Sequence, residues 1–241
     1  MNKKFSLNMN QLKTIAMVFM LIDHLAYVMI ERGVGLVGDW YLIDRVMRGM
    51  GRVAFPIFCF TIVEGFQKTK DQKEYLKRLI LFALISEIPF DMAFRGRLFD
   101  MGYQNVFWTL AFGLGAMMLY EDRWMSPWKR VIGLLACFYI PNIAHTDYSM
   151  YGVLTIFAMY YFRKEPILSC LAGYIVLLLQ TTAEKWAIFG FLLILLYNGE
   201  RGKGNRFLYY IFYPAHLLLL VFLKDYIVSW LSGLMFGVII V

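Results

Sequence analysis

Long apolar runs follow one another along this chain with only short polar interruptions, and that succession limits what it can fold into more than any single motif does. Of its 241 residues 60% are hydrophobic and 18% aromatic, with a mean hydropathy of +0.58. Soluble domains keep an apolar share of about half, so the composition predicts an integral membrane protein. Inside a bilayer every backbone polar group must be satisfied within the protein, which leaves helices or closed barrels. The runs lack the period-2 alternation of barrel strands, and the chain therefore reads as all-α.

With roughly 17 to 25 residues needed per span, helices are expected near 12–30, 47–66, 78–94, 105–120, 131–146, 150–162, 166–181, 186–198, 207–223 and 226–241. The expected architecture is a polytopic transmembrane helical bundle of about ten spans. No linker, low-complexity tract or repeat divides it, so 1–241 reads as a single domain. Asp23-His24 interrupts the first run and no small-residue cleavage site follows, which marks a span rather than a cleaved leader. Short loops are punctuated by Pro127, Pro141-Asn142 and the Gly199 to Asn205 stretch.

Charge sets the orientation. With the N-terminus inside, the cytosolic segments hold Lys3, Lys4, Lys13, Lys68, Lys70, Lys73, Lys77, Arg78, Arg123, Lys129, Arg130, Arg163, Lys164, Arg201, Lys203 and Arg206, which is 16 of the 24 Lys+Arg. The positive-inside rule then puts both termini in the cytosol. The same rule, with anionic lipid as the partner, accounts for the net charge of +7, so no nucleic acid is expected. Cys59, Cys137 and Cys170 all lie in apolar runs, are odd in number and lack CxxC spacing, and read as small buried hydrophobes.

Against this background the ionisable groups inside the runs are functional hypotheses. Asp23 and His24 lie well inside the first run. Lys13 is eleven residues earlier, and eleven helical steps return to nearly the same azimuth with a rise of about 16 Å. Lys13 and His24 therefore share one helix face, with a cation near the surface below a base at depth. Asp23 is turned about 100° from His24 and is expected to pair with another helix. In the second helix Arg45, Arg48 and Arg52 form a cationic stripe. Arg45 and Arg48 are compatible with snorkelling to headgroups, and Arg52, deeper, calls for a buried partner or ligand. Glu87 on the third helix is the expected partner, whereas Asp91 is placed near the outer end and in water. His216 lies at a depth similar to that of His24, and His145 at an outer loop reads as solvated or ambiguous. No HExxH, Walker loop, GxGxxG or nucleophile elbow is present. No metal is expected, and base catalysis by an intramembrane histidine is the sharpest chemistry left.

Several segments together resemble the TraX family of membrane acetyltransferases: Leu12-Lys13-Thr14 to Asp23-His24, Gly51-Arg52-Val53 to Glu64-Gly65-Phe66, Tyr75-Leu76-Lys77-Arg78-Leu79, Ile88-Pro89-Phe90-Asp91, Asn105-Val106-Phe107 with Thr109, Asp147-Tyr148 with Gly152, and Phe212-Tyr213-Pro214 with His216. They run in order over nearly the whole chain. That family is similar in turn to the acyltransferase-3 superfamily, whose first helix carries a basic residue, ten intervening residues and a histidine. Lys13 and His24 match this spacing, with lysine where arginine is frequent. The resemblance implies a fold of ten or so helices and an acyl-CoA-dependent acetyltransferase of the cell membrane.

On that reading acetyl-CoA is the donor and His24 the base or acyl carrier, with Asp23 and Arg52 beside it. Lys13, Lys77 and Arg78 would hold the donor, and Glu64, Glu87, Asn105, Tyr148, Tyr213 and His216 are further site candidates. The name-giving TraX activity acetylates the N-terminus of a pilin subunit. For this chain a peptide amine, a glycan hydroxyl and a small amine all remain open as acceptors. A transporter or flippase with an Asp/Arg/His relay is the alternative, and it would be favoured by inverted repeats, of which the sequence shows none.

Overall fold

The computed structural model describes residues 6–204 and 206–237 and is all-helical there. Lys3, Lys4, Asn205 and the end of the run predicted at 226–241 lie outside the described residues, as does the Arg206 side chain. The helices are α1 (Met9–Leu25), α2 (Asp39–Gly51), α3 (Ala54–Lys68), α4 (Gln72–Arg95), α5 (Val106–Glu121), α6 (Pro127–Ile143), α7 (Ser149–Tyr161), α8 (Pro166–Gln180), α9 (Ile188–Ile194) and α10 (Arg206–Gly237).

α1 starts on a capping box in which Asn8 Oδ1 accepts from the Gln11 N–H (3.0 Å) and Gln11 Oε1 accepts from the Asn8 N–H (2.9 Å). Beyond Leu25 the helix widens into a π-helical stretch, Ala26–Val34, which ends at Gly35 with φ 92°. Such widening is rare and concentrates at functional sites. Here it begins two residues after His24.

Three sequence expectations are corrected. The predicted helix over 47–66 is two helices, because α2 ends at Gly51 and α3 starts at Ala54. At that break α2 approaches α1 so closely that a Cβ on Gly51 would collide with the Asp23 side chain, a contact that small residues permit between helix backbones. Conversely, the run predicted at 207–223 and the described part of that at 226–241 are one helix, as far as Gly237. Nothing in Leu223-Lys224-Asp225-Tyr226 breaks a backbone ladder, and α10 passes through it. The run predicted at 186–198 is reduced to α9, preceded by a 3₁₀ segment Thr182–Ala187.

Among the described residues three helical stretches, Met9–Val34, Asp39–Lys68 and Phe207–Leu231, are long and apolar enough to cross a membrane. Val106–Glu121 and Pro166–Gln180 are shorter apolar helices. The outward faces suit lipid: on α6, for example, Trp128, Val131, Ile132, Leu135 and Tyr139 are all exposed.

Short backbone ties close both ends of the bundle. At one end Leu7 donates to the Leu196 carbonyl (2.8 Å) and accepts from the Asn198 N–H (3.0 Å), which pins the start of α1 to the α9–α10 connection. At the other, Gln104 donates to the His145 carbonyl (3.1 Å) and accepts from the Asp147 N–H (2.8 Å), joining the α4–α5 and α6–α7 connections. Each tie borders a cavity.

Candidate functional site

His24 of α1 and His216 of α10 meet in the interior. Their rings stack at 4.9 Å and 7°, and His24 Nδ1 lies 2.7 Å from His216 Nε2. His216 Nδ1 is in turn 2.7 Å from the Phe212 carbonyl oxygen one helical turn earlier. A carbonyl can only accept, so His216 Nδ1 carries a proton and, in the neutral ring, its Nε2 is the acceptor. His24 Nδ1–H therefore donates to His216, and the lone pair of His24 is on Nε2. The chain of two imidazoles holds His24 in one tautomer and orientation, as a carboxylate does for the histidine of a catalytic triad. Both residues are buried, and Tyr213 packs edge-on against each of them.

A cavity of about 520 Å³ opens at the end of the bundle where α1 begins. Its rim is cationic, with Lys13, Lys68, Lys70, Arg78 and Arg201, and its interior is aromatic and apolar. Lys13 Nζ sits 5.1 Å above the Tyr209 ring. Glu64 also lines this cavity, paired with Lys68 (2.7 Å) and accepting from the Tyr197 hydroxyl (3.1 Å). The cavity reaches inward to Met20, one turn before His24 on α1, and to Tyr213. His24 lies behind this floor. Lys77 does not take part: it is exposed and paired with Glu74 at 2.6 Å.

A second, polar pocket of about 430 Å³ lies at the opposite end, lined by Arg52, Tyr103, Asp147, Tyr148, Gln180 and Glu184 among others. Arg52 donates to Glu184 (3.1 Å) and to the Tyr148 hydroxyl (3.4 Å). The Tyr103 hydroxyl donates to Asp147 (2.8 Å). Glu184 Oε2 and Gln180 Oε1 are buried acceptors without a partner. Glu184 and Asp147 belong to connections between helices. Burial pushes the Glu184 carboxyl up to about 7 against the pull of Arg52, and burial raises Asp147 as well, against the Tyr103 hydrogen bond. The wall made by the α6–α7 connection is strained, since His145, Tyr148 and Ser149 all have positive φ (51°, 62° and 50°). Stacking of Tyr148 on Phe55 (3.5 Å, 4°) and a hydrogen bond from the Thr109 hydroxyl to the Asp147 carbonyl hold it in place.

Most of the sequence candidates divide between the two cavities and the histidine pair, while Lys77, Glu87, Asn105 and Asp23 line neither cavity. Lys13, Arg78, Glu64 and Tyr213 line the first cavity, and Arg52 and Tyr148 the second. Asp23, next to His24, pairs with Arg48 of α2 at 2.7 Å, so Arg48 is engaged inside the protein while Arg45 is exposed.

Two expected arrangements are corrected. Arg52 is paired with Glu184 rather than with Glu87, which instead accepts from Trp108 Nε1 (2.9 Å) and from the Asn105 N–H (3.4 Å). Asn105 caps α5 through the Phe107 N–H (3.0 Å) and donates to the Ala83 carbonyl (2.8 Å). Asp91 is fully buried, not wet, because the α4–α5 connection folds back and donates the Asp100 N–H to it (2.7 Å). Sequence reasoning missed Glu184, Gln180 and Tyr103. Glu184 lies in the polar stretch Thr181-Thr182-Ala183-Glu184-Lys185, which has the composition of a solvated loop. Among the described residues no cluster of His, Cys, Asp or Glu has the arrangement of a metal site.

The family model described as TraX protein matches residues 8–224. A probable fimbrial assembly protein, FimC of serogroup H1 from Dichelobacter nodosus, is 29% identical over 253 residues, covering 94% of this chain and 100% of that protein. No solved structure matches.

Proposed function

Because this chain belongs to the TraX family, we propose that it is a multi-pass cell-membrane acetyltransferase that takes acetyl groups from cytosolic acetyl-CoA and transfers them to an amine presented from the other face. The observation that carries this reading is the hydrogen-bonded pair His24–His216 between a cation-rimmed cavity and a polar pocket at opposite ends of the bundle. The first cavity suits the donor: cations at the rim for phosphates, an apolar interior for a pantetheine arm, and a floor against the histidines. Lys13 to His24 spans about 16 Å of helix, a length such an arm can cover. The cationic connections α3–α4, α5–α6, α7–α8 and α9–α10 share the donor end, which supports a cytosolic position for it. Since α10 is one continuous helix, this reading puts its far end on the opposite face.

In the reaction the amine nitrogen attacks the thioester carbonyl, a C–N bond forms and the C–S bond breaks. His24 Nε2 takes the proton released by the amine and returns it to the coenzyme A thiolate. An amine acceptor is supported by Glu184 Oε2 and Gln180 Oε1, two buried acceptors that its N–H groups can satisfy together. The likeness to FimC, a probable fimbrial assembly protein, favours a fimbrial subunit as the carrier of that amine.

The test is incubation of the purified protein with radiolabelled acetyl-CoA and a membrane extract. Label should move to an amine of the extract and remain on the donor with His24→Ala. Label on His24 in the absence of acceptor would replace direct transfer by an acetyl-histidine intermediate. Absence of any transfer, together with substrate movement across vesicles containing the protein, would establish the transporter reading instead.

A further inference from the structure

We propose that the Tyr213 hydroxyl forms the site that receives the negative charge developing on the thioester oxygen; this rests on the acetyltransferase reading above. Tyr213 is 3% exposed and lines the floor of the cation-rimmed cavity. Its hydroxyl is buried, with the Val106 N–H against its oxygen, and no group accepts its proton, which leaves an orphan donor. Buried phenols usually find a hydrogen-bond partner, and an orphan in a folded protein calls for an explanation. A substrate oxygen is one.

The surroundings point the same way. The Tyr213 ring is 5.9 Å from the His24 ring and 5.7 Å from that of His216, so its hydroxyl belongs to the neighbourhood in which the base acts. Val106 and Phe107, the first two residues of α5, line the same floor, and Phe107 packs edge-on against Tyr213 at 5.3 Å. The N–H groups at the start of α5 are already committed, that of Asn105 to Glu87 and that of Phe107 to Asn105 Oδ1, so the phenol is the donor left at this floor. A neutral phenolic donor thus stands where the cavity meets the histidines.

As the amine attacks, the carbonyl π electrons move to oxygen and the Tyr213 O–H donates a hydrogen bond to the resulting oxyanion, keeping its own proton. When the C–S bond breaks, the charge returns to re-form the carbonyl of the amide. A donor that strengthens its bond as charge develops lowers the barrier without tightening ground-state binding.

The experiment compares wild type, Tyr213→Phe and a protein carrying 3,5-difluorotyrosine at position 213, reading kcat, KM for acetyl-CoA and donor affinity by calorimetry. Tyr213→Phe keeps the ring against His24 and Phe107, and kcat should fall about 10²- to 10³-fold with KM and donor affinity unchanged. Fluorination should alter kcat alone, because it changes the acidity of the donor and little else. Active wild type together with a Tyr213→Phe variant at wild-type kcat, or a fluorinated protein with unaltered kcat, overturns this inference and leaves the acetyltransferase reading intact. Wild type without acetyl transfer removes both.

Discussion

Removing Arg52 should destabilise the protein severely, and in a pH-dependent manner. Arg52 donates to Glu184 at 3.1 Å, the two side chains being 22% and 1% exposed, and Glu184 Oε2 has no other partner. Arg52→Ala therefore leaves a carboxylate buried without compensation, at a cost of about 3 to 5 kcal/mol. For a chain of 150 to 250 residues each kcal/mol shifts the unfolding midpoint by about 2 to 4 °C, so the loss should be about 6 to 20 °C. Arg45, exposed on the preceding turn of α2, should cost no more than about 0.5 kcal/mol when replaced by alanine.

The Glu184 carboxyl already titrates at about 7, raised by burial, and without Arg52 it rises further. A carboxyl whose folded-state pKa exceeds its unfolded value makes the folded state bind more protons, so stability falls as pH rises from the unfolded to the folded pKa. In Arg52→Ala that window reaches to higher pH than in wild type. The gap between the two proteins should be widest in alkaline buffer and close towards pH 5. Thermal unfolding in detergent, followed by intrinsic fluorescence at pH 5 and pH 9, measures it. Equal losses for Arg45→Ala and Arg52→Ala, or a gap independent of pH, would refute the assignment of Glu184 as the partner.

Three further outcomes are expected. His24→Ala should abolish acetyl transfer, a loss of about 10²- to 10⁴-fold for a general base, while calorimetry still detects acetyl-CoA binding; a wild-type rate would defeat the mechanism. His216→Phe keeps the ring stack but removes the Nε2 acceptor, and kcat should drop about 10²- to 10⁴-fold as His24 loses its fixed tautomer; unchanged kcat would release His216 from that role. Lys13→Ala should weaken donor affinity with little change in saturated turnover, because a phosphate contact made equally in ground and transition states is uniform binding; a reversed pattern, with kcat falling at constant KM, would contradict a rim role for Lys13.

The apolar runs alone determined that this chain is helical and built for a bilayer, because a backbone denied water has to bond to itself. Helical periodicity aligned Lys13 with His24, since an eleven-residue spacing closes just over three turns and no tertiary contact is needed to bring the two to one face. The comparable depth of His24 and His216 was legible too, but their hydrogen bond was not, since it depends on where α1 and α10 pack. The partner of Arg52 was settled by geometry across 132 residues of separation, through a 3₁₀ segment whose composition resembles a solvated loop. Burial of Asp91 was likewise imposed by a connection that folds back to bond it. Local sequence governs which groups are costly to leave in an apolar helix. Only packing decides which of them meet, because opposite charges and hydrogen-bonding groups carry no label for one partner over another until the backbone brings them within about 3 Å.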